Sequence, residues 1–142
     1  MATKPRPGYA WTMSEGLAIH RILVANRGEI AIRVIRACRD LGLESVAIYS
    51  EIDREALHVR FATYAYPVGK ATATDSYLNM DRVLQAAHAT KADAIHPGYG
   101  FLSENPKFAQ ALDAEGVAFV GPPVKAIEAM GDKITAAVAK AT

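Results

Sequence analysis

The chain has 142 residues, 51% of them apolar, with 16 Lys and Arg against 15 Asp and Glu and a formal net charge of +1. This is one domain's worth of sequence, able to bury a core without staples, and it has no basic block interleaved with aromatics such as a nucleic-acid groove needs. No apolar run is long enough to span a bilayer, and the single cysteine, Cys38, excludes an internal disulfide and a Cys-based zinc cluster.

Neither nucleic acid nor a membrane is an expected partner. The amino terminus lacks the apolar segment of a secretory signal, so the cytoplasm is the expected location. Residues 1–20 carry Lys4, Pro5, Arg6, Pro7 and Gly8 with one acid, Glu15, and read as a disordered extension. Two other readings stay open: an organelle transit sequence, mitochondrial in a eukaryote, or a misplaced start codon with Met13 as the real one.

Arg21-Ile22-Leu23-Val24-Ala25-Asn26 is an apolar run ending at Arg27-Gly28, the pattern of a central parallel strand entering a tight turn. From Glu29 to Leu41 the period is helical. Ile30, Val34, Ala37 and Leu41 share one arc, Ala31, Ile35 and Cys38 widen it, and Gly42 ends the helix. On the opposite side Glu29, Arg33, Arg36 and Asp40 form a narrow stripe of acid and base at i,i+4 spacing. It reads as a solvated salt-bridge stripe, with a self-complementary patch at a two-fold interface as the alternative.

Glu44 to Ser50 is a second strand. Glu51 and Asp53 follow at about the separation where a dinucleotide fold places its ribose-binding acid, but the first turn offers only Gly28 and not G-x-G-x-x-G. They are read instead as turn and helix-start residues for a helix from Arg54 to Phe61. Tyr64 to Val68 alternates and contains Pro67, which suits a strand near the sheet edge. A polar loop, Gly69 to Ser76, leads to a helix capped by Asn79 that buries Met80, Val83, Leu84 and Ala87, with His88 at its boundary.

The short run Ala92 to Ile95 is a fourth strand. It opens into His96-Pro97-Gly98-Tyr99-Gly100-Phe101-Leu102-Ser103-Glu104-Asn105, a strand-to-helix loop holding imidazole, phenol and carboxylate groups around two glycines. Ligands of open parallel sheets bind outside the carboxyl ends of strands, which makes this loop a site candidate; a rigid turn with polar side chains facing water is the plainer alternative. A helix follows, with Asn105 as cap, Pro106 first, Phe108 and Leu112 buried, and Gly116 after its end. Val117 to Val120 is the fifth strand. Gly121-Pro122-Pro123 turns the chain into a helix from Val124 to Met130, Gly131-Asp132 is expected to break it, and Asp132 to cap another from Lys133.

Strands and helices alternating this regularly imply a Rossmann-like α/β domain, an open parallel sheet of about five strands with helices on both faces. Complete catalysis is not encoded. Gly-x-Ser-x-Gly and a Walker A loop are absent, and His20, His58, His88 and His96 lack metal-ligand spacing, so no metal site is assigned. Lys133 could reach a phosphate as a mobile point charge, and Gly98, Tyr99 and Gly100 could offer backbone N–H groups and a hydroxyl to a small ligand. A stand-alone nucleotide-binding or subunit-pairing module and a dinucleotide oxidoreductase domain are the competing classes.

Three ordered stretches, Ile22 to Ala31 with Arg33, Arg36 and Ala37, then His96 to Asn105, then Gly121-Pro122 with Met130-Gly131-Asp132-Lys133, resemble the amino-terminal domain of biotin carboxylases. The resemblance implies a pre-ATP-grasp domain over residues 21–130 and the truncated start of an ATP-grasp region over residues 131–142. It implies an enzyme using ATP, Mg2+ and bicarbonate to carboxylate biotin on a carrier protein, a ligase working with a biotin carboxyl carrier domain and a carboxyltransferase. By the same resemblance Lys133 would contact ATP, the loop with His96, Gly98, Tyr99, Gly100 and Glu104 would face biotin and bicarbonate, and Arg33, Arg36 and Asp40 would lie at a homodimer interface. The lid, the magnesium-holding carboxylates and the bicarbonate-binding basic residues of the family are not in this sequence, so this chain alone is expected to be inactive. It reads as the amino-terminal part of a larger protein.

Overall fold

The computed structural model describes residues 19–141. Five strands, β1 (Arg21–Val24), β2 (Glu44–Ser50), β3 (Tyr64–Gly69), β4 (Ala94–His96) and β5 (Ala118–Phe119), pair in parallel in the order β3-β2-β1-β4-β5. They alternate with α1 (Gly28–Asp40), α2 (Leu57–Phe61), α3 (Met80–Thr90), α4 (Pro106–Glu115) and α5 (Val124–Ala141). The chain winds outward from β1 to β3 on one side, then returns through α3 to add β4 and β5 on the other. The direction of winding therefore reverses between β1 and β4.

Alternation along β1 divides the core between the two faces of the sheet. Val24 packs with Ala47, Ala31 and Ile35 under α1, while Leu23, Val46, Ile48 and Ile95 pack with Val83, Ala86, Phe108 and Leu112 of α3 and α4. Helices thus cover both faces, as expected of a Rossmann-like sheet, and Pro67 lies on the edge strand β3, where its missing N–H breaks no ladder.

Caps at the helix ends follow the sequence closely. Asn79 and Asn105 accept from the N–H groups of Arg82 and Lys107, and Gly116 closes α4 at φ +72°. Past α1, Leu43 N donates to Cys38 O at 2.8 Å.

Four local expectations are corrected. The buried arc of α1 is Ala31, Ile35 and Cys38, with Ile30 and Val34 half-buried at its side and Ala37 and Leu41 exposed, because Ala31 and Ile35 face Val24 and Ala47 of the sheet. The helix expected from Arg54 is instead a 3-10 turn, Glu51–Asp53, followed by α2, because Asp53 turns inward and Ala56 is extended. Gly131-Asp132 does not interrupt α5, so the boundary drawn after residue 130 falls inside one continuous helix and Asp132 caps nothing. A mid-helix glycine costs only about 1 kcal/mol relative to Ala. Finally, the extension assigned to residues 1–20 lies mostly outside the described residues, but Ile19 packs on the core and His20 N donates to Asp93 at 2.8 Å.

Candidate functional site: a bridged switch point

In an open parallel sheet the crevice for a ligand forms at the strand ends where the winding reverses, here between β1 and β4. The loops after those strands are joined by one side chain. Asn26, buried directly after β1, donates through Nδ2 to Pro97 O at 2.9 Å and to Tyr99 O at 2.8 Å, while its Oδ1 accepts from Arg27 N at 2.8 Å. The carboxamide uses both of its donor hydrogens on the loop after β4. The bridge fixes the two loops relative to each other at the point where the winding reverses.

The loop itself leaves its tip in solvent. Tyr99 is 72% exposed, Gly100 and Glu104 are exposed, and Gly98 stands at φ +66° in half-buried contact with Asn26 and Ile30. Gly98 does not offer its N–H outward, as expected above; it donates to His96 Nδ1 at 3.0 Å. That bond leaves the proton of the neutral ring on Nε2, and burial pushes the His96 pKa below its ordinary value. His96 therefore braces the loop as a neutral imidazole.

A second set of contacts supports the loop from the far side. Arg27 grips Asp53 in a two-pronged pair, Nε to Oδ2 and Nη2 to Oδ1, both at 2.7 Å. Tyr77 donates its hydroxyl proton to Asp53 Oδ2 at 2.6 Å and accepts from Ser50 N at 3.1 Å, and its ring stacks on Phe101 at 5.4 Å. The Arg27 hydrogen bonds hold the Asp53 carboxyl down to about 2. Burial, then the Asp53 carboxylate, raises the Tyr77 phenol to about 12.

Sequence reasoning assigned none of Asn26, Asp53 and Tyr77 to the site. The sequence reads Asp53 as a turn or helix-start residue and places Tyr77 next to a polar loop, yet Tyr77 is only 2% exposed. The usable signal was Asn26, a carboxamide closing an otherwise apolar strand, where burial requires partners.

The remaining assigned residues lie apart from this cluster. Lys133 is exposed within α5, and its side chain makes no hydrogen bond or ion pair among the described residues. Arg33, Arg36 and Asp40 line the exposed side of α1, where Arg33 pairs with Glu29 at 3.4 Å. His88 meets Glu115 at 3.1 Å. Among the described residues no group of three or more His, Cys, Asp or Glu could hold a metal ion, and no helix is long and apolar enough to cross a membrane.

An all-parallel Rossmann-like sheet with its reversal bridged by Asn26 and a projecting tyrosine loop defines an α/β domain of the doubly wound class. The family model described as biotin carboxylase, N-terminal domain, matches residues 18–127, and the chain belongs to that family. It is 61% identical over 116 residues to the propionyl-CoA carboxylase alpha chain of Ruegeria pomeroyi, covering 82% of this chain and 17% of that one. Against biotin carboxylase 1 of Bacillus subtilis it is 54% identical over 115 residues, covering 81% and 26%. The solved biotin carboxylase domain of thermophilic 2-oxoglutarate carboxylase bound to bicarbonate superposes with a TM-score of 0.77 at 53% identity, covering 81% of this chain and 26% of that one. The chain thus spans about a sixth to a quarter of these relatives' lengths.

Proposed function

We propose that this domain forms one wall of a biotin carboxylase active site, in an enzyme that uses ATP, Mg2+ and bicarbonate to carboxylate biotin on a carrier protein. The observation that carries the reading is the Tyr99 loop, anchored at its base by Asn26 and left exposed at its tip, in a domain of this family. A loop fixed at its base and open at its tip presents a hydroxyl to a ligand with little ordering cost. Tyr99 and Gly100 would border biotin and bicarbonate, with His96 and Gly98 setting the loop's shape and Glu104 at its far end.

ATP and magnesium would be gripped by the remainder of the carboxylase. The chain spans only about a sixth to a quarter of its relatives' lengths, which supports that division. Lys133 would add a positive charge on the ATP side. The carboxylated biotin would pass on its carrier domain to a carboxyltransferase, and Arg33, Arg36 and Asp40 would pair two copies.

Bicarbonate-dependent ATP cleavage stimulated by free biotin tests the proposal. It is expected from a polypeptide carrying this domain with the remainder of a biotin carboxylase, and not from the 142-residue chain alone. No stimulation in the longer polypeptide would overturn it. The competing nucleotide-binding module predicts tight ATP binding by this chain in calorimetry.

A further inference from the structure

The contacts around Tyr99 close into a circuit. One arm runs from Asp53 to the Arg27 guanidinium, from Arg27 N to Asn26 Oδ1, and from Asn26 Nδ2 to the carbonyls of Pro97 and Tyr99. The other runs from Asp53 to the Tyr77 hydroxyl and through the Tyr77 ring to Phe101. Both arms start at one carboxylate. They end on either side of the exposed Tyr99 tip.

Two features show that the loop needs holding. Phe101 stands at φ +43°, a conformation costing a bulky L-residue about 1–2 kcal/mol, with its ring stacked on Tyr77 and packed against the core. The Asp53 side chain is only 8% exposed, yet its oxygens are bound by Arg27, Tyr77 and, more loosely at 3.4 Å, the Ser50 hydroxyl. A carboxylate serving only a turn would gain more from facing water.

We propose that Asp53 is a positioning residue for the Tyr99 loop, acting through Arg27 and Asn26 on one side and Tyr77 and Phe101 on the other. Its effect on activity rests on the biotin carboxylase reading; its effect on the loop does not. Asp53→Asn keeps the shape but leaves Arg27 without its charge partner and removes one acceptor oxygen. The loop then loses registration at both ends while the sheet keeps its core.

The test uses a polypeptide carrying this domain with the rest of the carboxylase, as wild type, Asp53→Asn and Tyr77→Phe. The last keeps the stack on Phe101, cuts the hydroxyl arm and leaves Ser50 N without its phenol acceptor. Hydrogen exchange follows the loop amides of Gly98, Ser103 and Asn105, which are hydrogen-bonded, against the ladder amides of β1 and β2. In Asp53→Asn the loop amides are expected to exchange about tenfold faster with the ladder unchanged, and Tyr77→Phe to fall between. Kinetically, the KM for free biotin should rise about tenfold while that for ATP holds. Unchanged loop exchange, or loop and ladder accelerating together, would overturn the proposal, as would KM values for biotin and ATP rising in parallel. If Asp53→Asn does not fold, the Tyr77→Phe exchange decides alone. A wild type without biotin-stimulated turnover would sink the carboxylase reading and leave exchange to judge the positioning role.

Discussion

Asn26 and Gly98 leave each other no room: a Cβ added to Gly98 would lie 2.7 Å from Asn26 Nδ2 and 2.9 Å from Ile30 Cγ2. The carboxamide that ties the two loops together is thus the atom group that forbids a side chain at the loop's first glycine. Gly98→Ala is expected to cost about 2–3 kcal/mol, combining the strain of φ +66° with displacement of Asn26. Gly100→Ala, at φ +71° with open space around it, should cost only about 1 kcal/mol. Denaturant unfolding of the two variants checks the difference, and equal losses would mean that Asn26 yields easily.

Removing the other member of the pair strands two carbonyls. Asn26→Ala leaves Pro97 O and Tyr99 O without their donor, a loss of about 1–3 kcal/mol in stability. Asn26→Asp should be worse, since a carboxylate facing two carbonyls repels where the amide attracts. Thermal unfolding of both variants at neutral pH gives the order.

Acid sensitivity follows from Asp53. Its carboxyl is lowered from 3.8 to about 2 on folding, so its contribution is present above 3.8 and is lost as pH falls through about 2. The displacement corresponds to about 2 kcal/mol. The stability gap between wild type and Asp53→Asn should therefore narrow over that window and stay constant above it. Tyr77 has the opposite sign: with its phenol raised from 10 to about 12, its contribution holds below 10 and fades as pH climbs towards about 12. Chemical unfolding across both ranges reads out each limb.

Tyr99 separates stability from function. At 72% exposure its ring contributes little to the fold, so Tyr99→Ala should move the unfolding free energy by no more than about 0.5 kcal/mol. In the longer polypeptide the same change is expected to raise the KM for biotin. An unaltered KM would remove the ring from the site.

The charged stripe on α1 gives a test of assembly. Arg36 is exposed on the side opposite Ala31 and Ile35, so Arg36→Glu leaves the core untouched. It should weaken self-association of the longer enzyme in sedimentation while the domain's melting profile persists. Unchanged association would return the stripe to solvent.

Local signals announced nearly every element: apolar runs for the strands, Asn79 and Asn105 for the helix starts, Gly42 and Gly116 for the ends, and Pro67 for an edge. The loop after β4 was legible for the same reason, since its proline, glycines and polar groups are contiguous. The errors share a cause as well. Gly131-Asp132 looked like a break because both residues disfavour helix, but a penalty of about 1 kcal/mol is too small to stop a helix that runs from Val124 to Ala141. Asp53 looked like a turn residue because its partners, Arg27 and Tyr77, are 26 and 24 positions away.

By itself the sequence determined the alternation of strands and helices, the caps that bound them, and the motifs that mark the family, because each depends on neighbours within a few residues. Only the tertiary structure decided that Asn26 ties the loops after β1 and β4 together, that Asp53 is a buried hub, and that Gly98 N–H donates to His96 while Tyr99 faces outward. Those outcomes depend on which strand ends the crossovers bring together, and on the desolvation cost that makes a buried polar group find its partner there.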